Sequence, residues 1–386
     1  MATINSLRLP APDGEFFEWQ PSGTDPIAPV PGGFKSRVAY AAVHVACGDS
    51  ARGETAPIDW DVTLAFRRHL WSLGMGVAEA MDTAQRGSGL GWDAARELIR
   101  RTIAEADGTH QPLVSGAGTD QLPQNGAVTR SEIANAYLEQ VEFVEGLGGR
   151  VILMASRQLA ATARSAEDYL HVYSQILSEV SRPVMIHWLG EMFDPTLAGY
   201  WGSSDPWIAI ETLLELVKLH SEEIDGVKIS LLDDELEIAL RHRLPDGVRV
   251  YTGDDLNYPN LILGDSVGHS DALLGVFAAI APAAAGALQA LDRGDVPLYR
   301  NIFEATLPLA HHLFSPPTRY YKTGVAFLAY LNGWQPHFRM LAGAEVNRRP
   351  AHLAQILVLA DRCGLLVDPE QALQRMHSVL EASGID

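Results

Sequence analysis

The lysines of this chain are few, and one of them lies where a lysine is unusual. The sequence holds 25 arginines but only four lysines, at Lys35, Lys218, Lys228 and Lys322. Lys228 lies within an apolar, strand-like run, DGVKIS. Burial disfavours the charged form of a lysine and frees its lone pair to attack a carbonyl carbon. We therefore predict that Lys228 forms an imine with a carbonyl substrate; the alternative is a structural ion pair with a nearby carboxylate such as Asp254 or Asp82.

The elements that would position this lysine follow a regular alternation. Short apolar runs, each of strand length, are followed by longer amphipathic helical runs; the eight strand candidates are RVAYAAVHVA, MGVAEAM, QPLVSGAG, RVILMAS, RPVMIHWLG, IDGVKIS, VRVYTGD and DALLGVF. Eight such pairs over about 250 residues are typical of a (β/α)8 TIM barrel. We predict an irregular N-terminal leader at 1–35, the barrel at 36–282 and a C-terminal helical extension at 283–386.

Polar side chains follow most of the predicted strands at their carboxyl ends. In a barrel these ends meet at one face, so the side chains are expected to converge on one cavity. The predicted ring consists of His44, Asp82, Thr83, Ser115, Ser156, Arg157, His187, Trp188, Lys228, Ser230, Asp254 and Asp255.

The composition restricts the class of partner. The formal net charge is −19, which argues against nucleic acid or an anionic membrane as a partner, because both require clustered basic residues. Only Cys47 and Cys363 are present, so a disulfide framework is not expected. No apolar run is long enough to span a bilayer, and the first residues lack the pattern of a signal peptide. We expect a cytoplasmic protein with a small-molecule substrate.

Five segments occur in the order in which one enzyme superfamily has them. They are IDWDVTLAFRRHLWSLGMGV, QPLVSGAGTDQL, IDGVKISLLDDE, RVYTGDDLNYPNLILGDSVG and TRYYKTGVAFLAYLNG, and the likeness covers most of residues 36–333. In this order they resemble the dihydrodipicolinate synthase and N-acetylneuraminate lyase superfamily of class I aldolase-like barrels. The resemblance implies that Lys228 is the Schiff-base lysine and that Lys322 is a feature of the family's tail segment. It also implies a homodimer or homotetramer.

The sequence departs from the superfamily pattern where the substrate would bind. The G-T-T-G-E loop, which holds a pyruvyl carboxylate, is replaced by MDTAQRGSGLGW, where Thr83 retains one hydroxyl and Asp82 adds a negative charge. Both tyrosines of the pattern are missing; IHWLG replaces the Y-N-x-P run, and Ser156 and Arg157 lie in the place of the other tyrosine. The resemblance therefore implies a divergent branch and not a true dihydrodipicolinate synthase.

His187 lies where the catalytic tyrosine of the superfamily would be. Imidazole titrates near neutrality, so it can carry a proton to and from a substrate hydroxyl during carbinolamine formation and carbon–carbon cleavage. We predict this role for His187; the alternative is a core histidine bonded to a neighbouring carbonyl.

The other ring residues are predicted to bind substrate. His44, Asp82 and Thr83 would contact substrate hydroxyls, and Trp188 would stack on a sugar ring or else cap the barrel. Arg157 would bind an acidic group, or else pair with Asp82 or Asp120. Asp254 would contact the substrate, or else fix its own loop and cap the following helix.

These predictions describe a Schiff-base lyase or aldolase without a cofactor. It would cleave, condense or dehydrate a keto-sugar, a sugar acid or a related polyhydroxylated carbonyl compound through Lys228. Two alternatives remain open. One is a metal-dependent sugar isomerase or epimerase that holds a divalent ion with His44, Asp82, His187 and Asp254. The other is a barrel without catalysis that binds a metabolite.

Overall fold

The computed structural model describes residues 6–27, 32–49, 57–82, 84–107, 111–123 and 127–385. These residues form two compact units. The barrel unit comprises residues 37–43 and 76–274, and the helical unit comprises the described residues within 1–36, 44–75 and 275–386.

The strands lie close to where the sequence predicts them. They are β1 (Leu7–Pro10), β2 (Phe16–Trp19), β3 (Ala39–Ala42), β4 (Gly76–Glu79), β5 (Leu113–Ala117), β6 (Val151–Leu153), β7 (Val184–Leu189), β8 (Ile224–Ser230), β9 (Arg249–Thr252) and β10 (Asp271–Leu274). The last eight pair in parallel in the order β10-β3-β4-β5-β6-β7-β8-β9 and close into a barrel.

Helices follow each barrel strand along the chain. They are α1 (Trp60–Ser72), α2 (Trp92–Asp107), α3 (Arg130–Gly146), α4 (Arg157–Thr162), α5 (Ala166–Leu177), α6 (Pro206–Leu219), α7 (Asp234–Arg241), α8 (Tyr258–Leu263), α9 (Phe277–Asp292), α10 (Val296–Leu313), α11 (Tyr321–Leu331), α12 (Pro350–Arg362) and α13 (Pro369–Ala382). The predicted (β/α)8 TIM barrel with a C-terminal helical region is confirmed.

Helix α3 shows how local sequence sets these elements. Thr129 accepts a hydrogen bond from the backbone N–H of Glu132, and the Glu132 carboxylate accepts one from the N–H of Thr129, so the two residues form a capping box. Ile133, Tyr137 and Val141 lie at helical spacing on one face of the helix and are buried.

The barrel interior is filled by an alternation of large and small side chains. Its core cluster consists of Tyr40, Ala42, Ala78, Met81, Val114, Ile152, Met154, Met185, Tyr251 and Leu273. The rings of Tyr40 and Tyr251 meet edge to face with centroids 6.2 Å apart. A Cβ at Gly76 would lie 2.4 Å from the Tyr40 ring, so the glycine leaves the space that the tyrosine fills. This layer closes the barrel below the carboxyl ends of the strands.

The helical unit contains the described part of the N-terminal leader. There β1 and β2 form an antiparallel hairpin in which Leu7 pairs with Trp19. Helices α1 and α9 to α13 belong to the same unit, and α11 carries Lys322, which is buried. Cys47 and Cys363 are both free thiols. Among the described helices, none combines the length and the apolar character needed to cross a membrane.

A buried carboxyl group joins α7 to β9 and to the residue that precedes β10 in the barrel unit. Glu237 accepts hydrogen bonds from the hydroxyls of Thr252 at 2.9 Å and Ser270 at 2.7 Å. Burial raises the pKa of Glu237 to about 8, although these two hydrogen bonds lower it. The carboxyl group is therefore protonated in the folded protein at neutral pH and would be ionised in the unfolded chain.

This difference predicts a pH dependence of stability. The proton that Glu237 holds stabilises the fold below pH 4.5, and this contribution is lost as the pH rises toward about 8. Glu237→Gln keeps the shape of the side chain but does not titrate. As the pH rises from 5.5 to 8, we therefore expect the urea midpoint of this variant to increase relative to the midpoint of the wild type. Glu235→Gln, an exposed position on the same helix, is the matched control. An equal pH slope for wild type and Glu237→Gln would contradict the assignment.

Candidate active site

Lys228 lies on the inner face of β8, between two other barrel strands. In the register of the sheet it is level with His187 on β7 and with Tyr251 on β9. Neighbouring residues of a parallel sheet point to the same face, and Tyr251 belongs to the interior cluster. The Lys228 side chain is 6% exposed, and its Nζ lies 3.9 Å from Sδ of Met81. This position agrees with the prediction that Lys228 lies inside the barrel.

His187 is the neighbour of Lys228 across the β7–β8 pair. Its Nε2 lies 3.1 Å from Oγ of Ser230, and the residue is 2% exposed. Nδ1 has no hydrogen-bond partner among the described residues. Burial, and then the positive charge of Lys228, lower the pKa of His187 well below its usual value. The imidazole is therefore neutral in the folded protein at neutral pH.

Gly253, just after β9, leaves room for these side chains. A Cβ at this position would lie 2.0 Å from Oγ of Ser230 and 2.9 Å from Cε of Lys228. It would also lie 2.8 Å from the backbone oxygen of Ile229, which cannot swing away as a side chain can. The side chains of Lys228 and Ser230 thus converge on one point above Gly253.

Trp188 lies one residue beyond His187 on β7. Side chains alternate between the faces of a strand, so Trp188 points to the face opposite His187, where its neighbour in register is Ile229. Both are buried. The structure therefore does not bring Trp188 together with Lys228 on the interior face.

Asp254 follows Gly253 and is bound within its own loop. One carboxylate oxygen accepts hydrogen bonds from the backbone N–H groups of Leu256 at 2.9 Å and Asn257 at 3.0 Å, and the other accepts one from the Asn257 side chain. Burial raises the pKa of Asp254. These contacts fix the loop before α8, which is the alternative role given above for Asp254.

Asp82 begins the segment after β4. Its side chain accepts a hydrogen bond from the N–H of Ala84 at 2.9 Å, and its backbone oxygen accepts bonds from Gln85 and Arg86. Thr83 lies outside the described residues, so its predicted contact with substrate stays a prediction.

Two arginine–aspartate pairs tie together the loops above the strands. Arg157 donates from Nε to Asp194 at 2.6 Å, so its partner is neither Asp82 nor Asp120. Asp120 pairs instead with Arg86, which is almost fully buried and donates to both carboxylate oxygens at 3.0 and 2.5 Å. Burial alone would raise the pKa of Asp120, but the Arg86 guanidinium lowers it.

A small cleft lies between these two pairs. It measures about 30 Å³ and is lined by Arg86, Gly118, Thr119, Asp120, Met154, Ala155, Arg157 and Gln158. Met154 also belongs to the interior cluster, as does Met81, which contacts Lys228. One wall of the cleft is therefore continuous with the packing below the lysine.

His44 belongs to the helical unit. Its Nε2 lies 2.9 Å from Oε1 of Gln335, and its backbone oxygen accepts a bond from Arg67 at 2.7 Å. The Gln335 amide is oriented by donating to the backbone oxygen of His337, so His44 donates from Nε2. Burial first, then the charges of Arg67 and Lys322, lower the pKa of His44 to about 3.

The isomerase alternative requires a group of side chains that binds a divalent metal ion. Within the part of the chain that the structure describes, no three His, Cys, Asp or Glu side chains are grouped so that they could hold a metal ion.

Some contacts of this region have no signal in the sequence. Ser230 belongs to the predicted ring, and its position two residues after Lys228 predicts only that it shares the inner face of the strand. The pairs Arg86–Asp120 and Arg157–Asp194 join segments 34 and 37 residues apart, and no local pattern indicates them.

Comparison with known proteins places the chain in a family. The family described as "Protein of unknown function (DUF993)" matches residues 7–385. The chain belongs to this family. No curated protein matches it.

Solved structures similar to this DUF993 chain are barrels of the dihydrodipicolinate synthase family. YagE, a prophage protein of E. coli K12 solved in complex with pyruvate, is 17% identical with a TM-score of 0.64, covering 91% of this chain and 99% of its own. The 4-hydroxy-tetrahydrodipicolinate synthase of Methylacidiphilum fumariolicum SolV is also 17% identical, with a TM-score of 0.64 and coverages of 88% and 98%. DHDPS from Cyanidioschyzon merolae, with lysine bound, has 17% identity, a TM-score of 0.62 and coverages of 86% and 99%. The resemblance seen in the five segments is confirmed at the level of the fold.

The convergence above Gly253 predicts a strong effect of one added methyl group. Gly253→Ala would displace Ser230, Lys228 and the β8 backbone, so we expect loss of any reaction at Lys228 and a lower thermal unfolding temperature. Gly91→Ala, where an added Cβ would meet open space, is the matched control and should behave as wild type. A Gly253→Ala protein with unchanged lysine reactivity would show that the interior is less tightly packed than described.

Proposed function

We propose that this protein is a Schiff-base-forming lyase of the class I aldolase type. Lys228 forms an imine with a keto-sugar, a sugar acid or a related polyhydroxylated carbonyl compound. The observation that supports this most directly is the pairing of Lys228 with His187 in register on the inner face of the barrel. A nucleophile and a proton-transfer group thus lie on adjacent strands about 4.8 Å apart.

Lys228 is positioned for amine chemistry. Its Nζ lies near the Met81 thioether, its neighbour in register on β9 is Tyr251, and the residue is almost fully buried. The neutral amine is the form that attacks a carbonyl carbon. The imine then serves as an electron sink, so the reaction needs no cofactor.

The substrate that we propose is not pyruvate. The segment after β4 lacks the two-threonine loop of the superfamily, and Asp82 adds a negative charge there. A carboxylate directly beside the imine carbon would be repelled by this aspartate, whereas a hydroxyl group can donate to it. For this reason we favour a polyhydroxylated carbonyl compound, with Thr83 as a further candidate contact and His187 as the group that moves protons.

Arg157 is the candidate for binding an acidic group of the substrate. It is about one-quarter exposed, lines the cleft and uses one nitrogen on Asp194, so its other nitrogens can serve a ligand. A carboxylate or phosphate distant from the carbonyl would thereby be oriented over the barrel.

Borohydride trapping tests the proposal. The protein is incubated with pyruvate, dihydroxyacetone or a 5-keto sugar acid, whose carboxylate is distant from the carbonyl, then reduced and analysed by peptide mass spectrometry. We expect a stable mass addition at Lys228. The yield of this adduct should be higher with the hydroxylated compounds than with pyruvate. Lys228→Met should abolish the adduct, while Lys218→Met, at an exposed lysine on α6, should retain it.

The same measurements separate the alternatives. Binding of these compounds without any adduct would support a non-catalytic metabolite barrel and contradict the lyase. Turnover that is lost on chelation and restored by a divalent metal would support the isomerase. Turnover that survives chelation together with an adduct at Lys228 is the expected result.

The role proposed for Arg157 predicts a selective loss of affinity. Replacing both Arg157 by Gln and Asp194 by Asn removes the guanidinium without leaving an unpaired carboxylate. Because a hydrogen bond to a charged group contributes about 1.5 to 3 kcal/mol, we expect a 10- to 100-fold higher KM for acidic substrates and little change for neutral ones. Arg164→Gln, an exposed arginine, is the control; equal effects on acidic and neutral substrates would exclude Arg157 as the anion contact.

A further inference from the structure

We propose that Ser230 is the group that exchanges protons with the substrate, and that His187 accepts and returns the proton behind it. This inference rests on the proposed imine at Lys228. The Ser230 hydroxyl would contact the substrate directly. His187 would act on the substrate only through that hydroxyl.

The contacts of His187 support this order. Nε2 is the ring nitrogen farther from the backbone, and it lies 3.1 Å from Oγ of Ser230. The hydroxyl therefore lies at the end of the imidazole from which a proton would leave. Ser230 shares the inner face of β8 with Lys228, two residues away, and both side chains approach the Cβ position of Gly253. A substrate bound to Lys228 would thus lie beside the hydroxyl, and a serine can donate and accept a proton at once.

We call the proton transfer through Ser230 to His187 the relay. Its charges are compatible with a positively charged imine at Lys228. An iminium at Lys228 carries the same positive charge as the ammonium, and that charge opposes protonation of the buried His187. When a carbon–carbon or carbon–hydrogen bond breaks, its electrons flow into the iminium and form a neutral enamine. The positive charge then leaves the Lys228 nitrogen in the same step in which one arises on His187, so the two charges do not coexist.

The steps balance in atoms and electrons. In retro-aldol cleavage, the hydroxyl of the iminium adduct gives its proton to Oγ of Ser230 as the serine proton moves to Nε2 of His187. The carbon–carbon bond breaks, an aldehyde leaves, and the bonding pair forms the enamine. His187 then returns its proton through Ser230 to the enamine carbon, which restores the iminium. Water adds to that iminium, the carbon–nitrogen bond breaks, and the ketone product leaves Lys228 as the ammonium. Loss of its extra proton to solvent regenerates the Lys228 amine.

Hydrogen–deuterium exchange isolates the proton transfer from imine formation. Dihydroxyacetone is incubated with the full-length protein in D2O, and the loss of the proton signal beside the carbonyl is followed by NMR. Borohydride adduct yield at Lys228 is measured at equilibrium on the same samples. General acid–base groups contribute about 10²- to 10⁴-fold to such transfers. We expect Ser230→Ala to keep the adduct yield within about twofold of wild type while exchange falls by about 10²-fold or more.

Two further variants define the relay. His187→Gln should also keep the adduct and lose exchange, and the double variant should be no slower than the slower single variant, because both groups act in one chain. Ser174→Ala is the matched control, since the Ser174 hydroxyl also pairs with Nε2 of a histidine, His220, at 2.9 Å, but is carried by helix α5 and not by a barrel strand. It should exchange as the wild type does.

The outcomes distinguish this inference from the proposed function. Wild-type exchange rates in Ser230→Ala, with the adduct retained, would overturn the relay and leave the imine in place. A parallel loss of adduct and exchange in Ser230→Ala would mean that Ser230 only supports Lys228, which also overturns it. If the wild type forms no adduct at Lys228 with any of the three probes, the proposed function fails and the relay fails with it.

Discussion

Lys228 and His187 are neighbours in register on adjacent strands, and both side chains are almost fully buried. Burial penalises a charge on either group, and two positive charges at this spacing repel each other. The pKa of His187 is accordingly lowered well below its usual value, first by burial and then by the positive charge of Lys228. The protonation of the imidazole therefore depends on the charge of the lysine beside it.

The barrel unit packs apolar side chains and a glycine around that pair. Met81 contacts the lysine, and Tyr251 and Met185 continue the packing on either side. Gly253 leaves the volume into which Lys228 and Ser230 project. An alanine at this position would fill that volume, so the arrangement of the two side chains depends on the glycine.

Two arginine–aspartate pairs hold the loops over the strands. Arg86 is satisfied on every side, by Asp120, Gln140 and two backbone oxygens. Arg157 is partly exposed and uses fewer of its donors. The two arginines therefore differ in burial and in the number of their partners, although both carry the same charge and line the same cleft.

The sequence by itself determined the barrel and the lysine. Strand-length apolar runs, helical periodicity and the Thr129–Glu132 capping box are local patterns, and local patterns are readable because each depends on residues a few positions apart. Lys228 was recognisable for the same reason, since it interrupts an apolar strand. The partners of the site were decided only by the tertiary structure: Ser230 for His187, Asp194 for Arg157 and the inner or outer face for Trp188. These contacts join segments 37 to 43 residues apart or depend on strand register, and register is set by closure of the whole barrel rather than by any one strand.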